Sequence, residues 1–385
     1  MPIYQVQGEI PRKRHVQFRK PDGGLYYEEL IGNLGFTGLQ SLVYHVHRPT
    51  QIRGTRLLQR LDWEVAENTA LRPLHLRTSG LPKGGDPLTG RRPLLFNPDV
   101  AVSAAFPDTE QGYFYRNAQG DEIVYVTEGS GVLESSFGTL AYRPGDYLVI
   151  PRGILHRWRP EKTAHRLLVI ESRGYVRTPR RYRNDHGQLL EHAPYCERDI
   201  RIPQRSEPRD EEGSFEVRVK RDNALVQYEY ARHPFDVVGW DGTYYPWAFN
   251  IDDFEPITGR IHQPPPVHQT FEGDGFVVCS FVPRLYDYHP EAIPAPYHHE
   301  NVGTDEVIYY ASREFMSRKG IELGSITCHP DGIPHGPHPG TVEASIGKQE
   351  TKEVAVMIDT FRPLTLGRDG EAIEDADYPR SWLEP

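Results

Sequence analysis

Sulphur is scarce in this chain, with three cysteines and three methionines in 385 residues. Cys196, Cys279 and Cys328 are odd in number and far apart in sequence, which suits a reducing compartment better than a disulfide framework. Long apolar runs are missing too: mean hydropathy is -0.61, and no stretch approaches the roughly 18 to 20 residues a membrane-crossing helix needs. Positive charge is in deficit, with 44 Lys+Arg against 54 Asp+Glu and a net charge of -10. That balance argues against general capture of nucleic acid or acidic lipid, so neither a nucleic-acid partner nor a membrane is expected. The opening MPIYQVQGEIPRKRHVQF puts its basic residues after the apolar ones and has no small-residue cleavage pattern, so it does not read as a signal peptide. A cytoplasmic location is the expectation. GxGxxG after a strand, GxxxxGK(S/T), CxxC and GxSxG are all absent, which removes the usual nucleotide, zinc-ribbon and hydrolase readings. The basic run from Arg177 to Arg183 reads as a solvated or subunit-facing loop.

Turn formers, by contrast, are plentiful: 35 glycines and 34 prolines imply short elements and few helices. Between them lie short segments rich in β-branched and aromatic residues, among them EIVYVTEG, GVLESSF, YLVIP, RLLVIES, FEVRVK, NALVQYEY, GFVVCSFVP, EVIYYAS and VAVMIDT. The pattern predicts an all-β protein of antiparallel sandwiches or barrels. The length favours two domains.

A weak internal repeat sharpens that division. Tyr115 to Glu122, followed by IVYV, aligns without a gap to His299 to Glu306, followed by VIYY. Downstream, PRGILH ends at His156 and PDGIPH ends at His335, 34 and 29 residues beyond the respective glutamates. Two related β domains, 1–205 and 206–385, joined near the polar stretch Arg205 to Glu212, account for the repeat.

The copies differ where chemistry is at stake. The second offers His299, Glu306 and His335, a 2-His-1-carboxylate set of the kind that binds non-haem Fe(II) on one face and leaves other positions open. The first has Tyr115 in place of His299, and a phenol with a pKa near 10 is a poor ligand at neutral pH. One copy is thus read as the metal site and the other as having kept only the fold. Residues 262 to 338 also hold eight of the 17 histidines, including His262, His268, His298 and His338. Adjacent residues on a strand face opposite ways, so only one of His298 and His299, and one of Asp305 and Glu306, joins a shared pocket easily. His299 and Glu306 are the choice, with His298 and Asp305 as the flanking alternatives.

Four blocks in order carry a family resemblance: VVGWDGTYYPWAFNIDDFEP, GDGFVVCSFVPR, PAPYHHENVGTDEVIYY and GSITCHPDGIPHGPHPG. They resemble the homogentisate 1,2-dioxygenase family, of the shorter bacterial kind, within the cupin superfamily. The likeness is strongest from Val237 to Gly340. The resemblance implies two jelly-roll β-barrel domains, a bicupin, with an N-terminal domain lacking a complete metal site and a C-terminal catalytic one. It places Fe(II) on His299, Glu306 and His335, an acid/base role on His262, and substrate contacts at Tyr297, Phe315 and His329. Phe315 stands where better-known members have a tyrosine, and Glu300 where long members have arginine. The implied reaction joins homogentisate and O2 to give 4-maleylacetoacetate, in an enzyme expected to be a homo-oligomer. A related acid such as gentisate, a non-oxidative metal-dependent cupin enzyme and a small-molecule-binding bicupin are the alternatives.

Overall fold

The computed structural model describes residues 3–161, 164–312, 315 and 318–383. The segments singled out for β-branched and aromatic content all lie in or on strands, and the described helices are brief, Thr341–Ser345 and Arg368–Glu371 being the α-helical ones. The strands form sheets of four, seven, seven, six and two strands. The all-β expectation therefore holds.

The jelly-roll barrel expectation does not. Among the described residues each sheet runs from one end strand to another without its ends pairing, and none is closed or strongly curled. Closure requires the first and last strands of a sheet to hydrogen-bond. Here the ends are taken by strands from distant parts of the chain. In the six-stranded sheet the order is Gln269–Gly273, Phe276–Phe281, Ala355–Thr360, Asp305–Tyr310, Ile326–His329 and Leu74–Leu76, all antiparallel. Its last strand comes from the N-terminal part of the chain. One seven-stranded sheet begins with Trp247–Asn250 and ends with Thr365–Leu366, around the strands Asp146–Ile150, Asp121–Glu128, Arg166–Ser172, Val100–Ala105 and Arg92–Phe96. Four of the five sheets mix strands from before and after residue 205.

The two-residue period of a strand divides the six-stranded sheet into two faces. Val307, Tyr309, Val356 and Ile358 enter the main apolar core, whereas Ile308, Tyr310, Ala355, Met357 and Cys279 form a separate cluster on the other face. The core face packs against the seven-stranded sheet that holds Asp121–Glu128. There Tyr125 and Tyr309 meet at 6.1 Å between ring centroids, and Tyr147 Oη lies 2.8 Å from Ser280 Oγ. Such buried hydroxyl pairs satisfy the polar ends of side chains whose rings fill the layer. The opposite face, carrying Glu306 beside Ile308, is free to line a cavity.

Candidate metal centre

Three elements converge on this face. Glu306 is the second residue of Asp305–Tyr310, His335 lies in the loop after Ile326–His329, and His299 lies in the loop before Asp305. An isolated antiparallel bridge joins the two loops, with backbone hydrogen bonds of 2.8 Å in both directions between His299 and His335. His299 Nε2 is 3.5 Å from Glu306 Oε2 and His335 Nε2 is 3.6 Å from Glu306 Oε1. One ligand atom from each residue falls within 4.8 Å of the others.

Of the sequence alternatives, Asp305 faces the other way and accepts backbone N–H groups from Asp331 and Leu364 at 2.8 and 2.7 Å. His298 is exposed.

The imidazoles are held in one tautomer. His299 Nδ1 donates to Tyr297 O and His335 Nδ1 donates to Ile333 O, each at 3.2 Å, so both Nε2 atoms present lone pairs toward Glu306. His335 Nε2 is buried and lacks a hydrogen-bond partner. A buried acceptor of this kind needs a cation or donor. Glu306 is itself oriented by His329, whose Nδ1 lies 3.0 Å from Oε1 while its Nε2 is 3.0 Å from Tyr378 Oη. Burial alone would push the Glu306 carboxyl up, but the surrounding imidazoles, among them His329 donating from Nδ1, hold it well below the usual range. Burial brings His329 down to about 4, so it stays neutral and donates from Nδ1. The donor set, two imidazole nitrogens and one carboxylate, fits a divalent transition metal. The cluster is capable of coordinating a metal ion.

The corresponding residues of the first copy are arranged differently. Tyr115 Oη donates to Glu122 Oε1 at 3.2 Å and Asn117 Nδ2 donates to the same oxygen at 2.9 Å. Arg91 grips Glu122 through two hydrogen bonds of 2.9 and 2.7 Å. A guanidinium therefore supplies the positive charge at this carboxylate.

Beside the cluster opens a cavity of about 370 Å³ whose walls include His299, Glu306, His262, Tyr297 and Phe315. Its size is in the range of small-molecule sites. His262 is half-exposed, with Nδ1 3.4 Å from Asp287 Oδ2 and its ring 5.1 Å from that of Tyr297. Tyr297 forms the exposed rim, and Phe315 stands edge-on to Tyr310 at 4.4 Å. His329 lies behind Glu306 with both ring nitrogens engaged by protein and does not line the cavity.

Sequence reasoning gave no role to several polar residues on these walls, among them His268, Arg284 and Asp359. Asp359 pairs across the ladder with Glu306, and its Oδ1 is buried without a partner. Burial first, and then the neighbouring Glu306 charge, raises its carboxyl to about 7. The alternation in VAVMIDT carried the signal, since it puts Met357 and Asp359 on one face. Nothing in the sequence said which strand would lie beside Glu306.

Antiparallel sheets with a His/Glu cluster of this composition at a cavity define a class of all-β proteins with a candidate metal site. The comparisons with known proteins narrow that class. Residues 100–251 match the family model described as "HgmA_N: Homogentisate 1,2-dioxygenase N-terminal". A protein of Saccharolobus solfataricus named "Putative dioxygenase SSO1533" is 44% identical over 390 residues, covering 99% of each chain. A "Homogentisate 1,2-dioxygenase" of Sinorhizobium medicae is 24% identical over 416 residues, covering 98% of this chain and 90% of that one. Among solved structures, a "Cupin 2 conserved barrel domain protein" from Leptotrichia buccalis covers 78% of this chain and 99% of its own, at 12% identity and a TM-score of 0.32. The chain belongs to the same family as the putative dioxygenase of Saccharolobus solfataricus and is related to homogentisate 1,2-dioxygenase-like sequences.

Proposed function

We propose that this protein is an Fe(II)-dependent ring-cleaving dioxygenase that converts homogentisate and O2 to 4-maleylacetoacetate. The observation that carries the reading is the pair of inward-facing Nε2 atoms on His299 and His335, set against Glu306 at the wall of a cavity of about 370 Å³. Kinship with proteins named as dioxygenases supports the reaction type. His299, Glu306 and His335 would hold the iron, which would supply Lewis acidity toward a ring hydroxyl and redox chemistry toward O2.

The protein's own groups do the rest. Glu306 is held in place by His329, which keeps one face of the site fixed. His262, with Nδ1 toward Asp287, has Nε2 available to take the hydroxyl proton. Phe315 and Ile308 form apolar walls that restrict water. Both oxygen atoms enter the product, so no external reductant is consumed.

A second reading, ring cleavage of a related acid such as gentisate, is favoured by one feature: Phe315 offers the substrate no hydroxyl. The deciding experiment loads the protein with Fe(II) without oxygen, then follows oxygen uptake and product absorbance with each acid. Uptake of one O2 per homogentisate, faster than with gentisate, is expected. The Ala variants of His299, Glu306 and His335 should lose both iron and uptake. Turnover in the absence of O2 would overturn the dioxygenase reading, and preference for gentisate would replace the substrate.

A further inference from the structure

His268 is a buried polar group on the cavity wall. It ends the short Pro265–His268 turn that leads into Gln269–Gly273. The residue is only 4% exposed, yet its Nδ1 is buried without a partner. Burial, with Arg284 and His262 adding to it, brings the ring down to about 3, so it is a neutral imidazole offering one N–H and one lone pair. A buried side chain with such unmet capacity lowers stability unless something completes it.

Its surroundings indicate the chemistry of that partner. The hairpin from Gln269 to Phe281 brings its two ends together, so His268 precedes the first strand and Arg284 follows the second. The Phe281 ring lies between them, 4.9 Å from the His268 ring and 5.6 Å from the Arg284 guanidinium carbon. Arg284 Nη1 donates to Val282 O at 3.2 Å, and Nη2 is 3.6 Å from Glu353 Oε1. All four of His268, Phe281, Arg284 and Glu353 line the cavity that His299 and Glu306 enter. An imidazole N–H and a guanidinium on either side of an aromatic ring form a donor pair with positive charge, complementary to a carboxylate on an aromatic molecule.

We propose that His268 and Arg284 form a subsite, apart from the metal cluster, that holds the carboxylate of the aromatic substrate. The proposal rests on the dioxygenase reading for the identity of that substrate and assigns the end of the cavity that recognises its acid group. Phe281 orients the ring side of the arm, His268 donates to one carboxylate oxygen, and Arg284 supplies the charge. Glu353 restrains Arg284, so the guanidinium is positioned before the ligand arrives.

The test is equilibrium binding, followed by calorimetry in the absence of oxygen, to the full-length Fe(II)-loaded protein. The probes are 2,5-dihydroxyphenylacetate and its methyl ester, which differ at the arm alone, in charge and by one methyl group. The wild type should bind the acid more tightly than the ester. His268→Phe and Arg284→Met should each weaken the acid by about tenfold to a hundredfold while moving the ester by less than about threefold, since a hydrogen bond to a charged group is at stake. Iron content and melting temperature serve as controls, and His268→Gln replaces the phenylalanine variant if that one fails to fold. Equal weakening of acid and ester, or no weakening of either, overturns the subsite. Selective weakening of the acid in a protein that consumes no oxygen upholds the subsite and removes the dioxygenase reading. Intact oxygen uptake with unchanged acid affinity does the reverse.

Discussion

Arg91 does for Glu122 what a divalent ion would do for Glu306: it brings positive charge to a buried carboxylate. The guanidinium fits the carboxylate through two parallel hydrogen bonds, and Tyr115 and Asn117 both donate to Oε1 as well. Burial would push Glu122 up, but Arg91 reverses this and holds it at about 2. A depressed carboxyl stabilises the fold fully above its unfolded value, near 4.5, and the contribution fades as pH falls toward 2. Removing one partner of such a pair strands the other. Arg91→Met should therefore destabilise the protein by about 3 to 5 kcal/mol in denaturant titrations near pH 7. Pairing it with Glu122→Gln should recover much of that loss, and neither variant should change iron content. Iron loss in either would mean that the first copy also takes part in metal binding. Tyr115 in place of histidine was legible in the repeat. Arg91 was not, because it lies 31 residues before Glu122 and in no motif.

Strand identity was readable because composition and alternation are local properties. EVIYYAS and VAVMIDT became the neighbouring strands Asp305–Tyr310 and Ala355–Thr360, with Glu306 facing the cavity and Asp305 turned away from it. Sheet closure was misread because it depends on which distant strands take the edges, and no local pattern records that. The metal loops combine both kinds of information. His299 and His335 sit on loops held by a single bridge, and the residue after His335 is Gly336. A Cβ built on Gly336 would come within 2.8 Å of His298 Cα, a backbone atom that cannot rotate away. Gly336 O also accepts from Arg318 Nη1 at 2.6 Å and Trp382 Nε1 at 3.0 Å, so the glycine is held from both sides. Gly336→Ala should push the His335 loop away from His298 and spread the two imidazoles. The expected result is at least a tenfold loss of metal affinity in a chelator competition, about 1.4 kcal/mol, with far-UV circular dichroism unchanged. Undiminished affinity would show that the bridge tolerates the added methyl group.

At the scale of the whole molecule, the exposed stretch from Arg205 to Glu207 joins two parts of the chain that share sheets. Leu74–Leu76, from the first part, pairs with Ile326–His329, the strand whose last residue orients Glu306. His75 Nε2 lies 2.9 Å from Ser325 Oγ, just before that strand, and Leu76 is fully buried. In return, the second part supplies Trp247–Asn250 to the edge of the Asp121–Glu128 sheet and Glu212–Arg221 beside Phe114–Asn117. Ladder hydrogen bonds and apolar faces on both sides are consequently completed only when the two parts are together. Expressed alone, residues 206–385 would expose the unpaired edge of Ile326–His329 along with the apolar face that packs on Tyr125. That fragment should lack a cooperative melting transition and retain no iron. Co-expressed with residues 1–205 as a separate chain, it should recover both and elute as one complex, because the break falls in exposed backbone and leaves every shared sheet intact. A fragment 206–385 that melts cooperatively and holds iron by itself would show that the borrowed strand Leu74–Leu76 is dispensable to the metal centre.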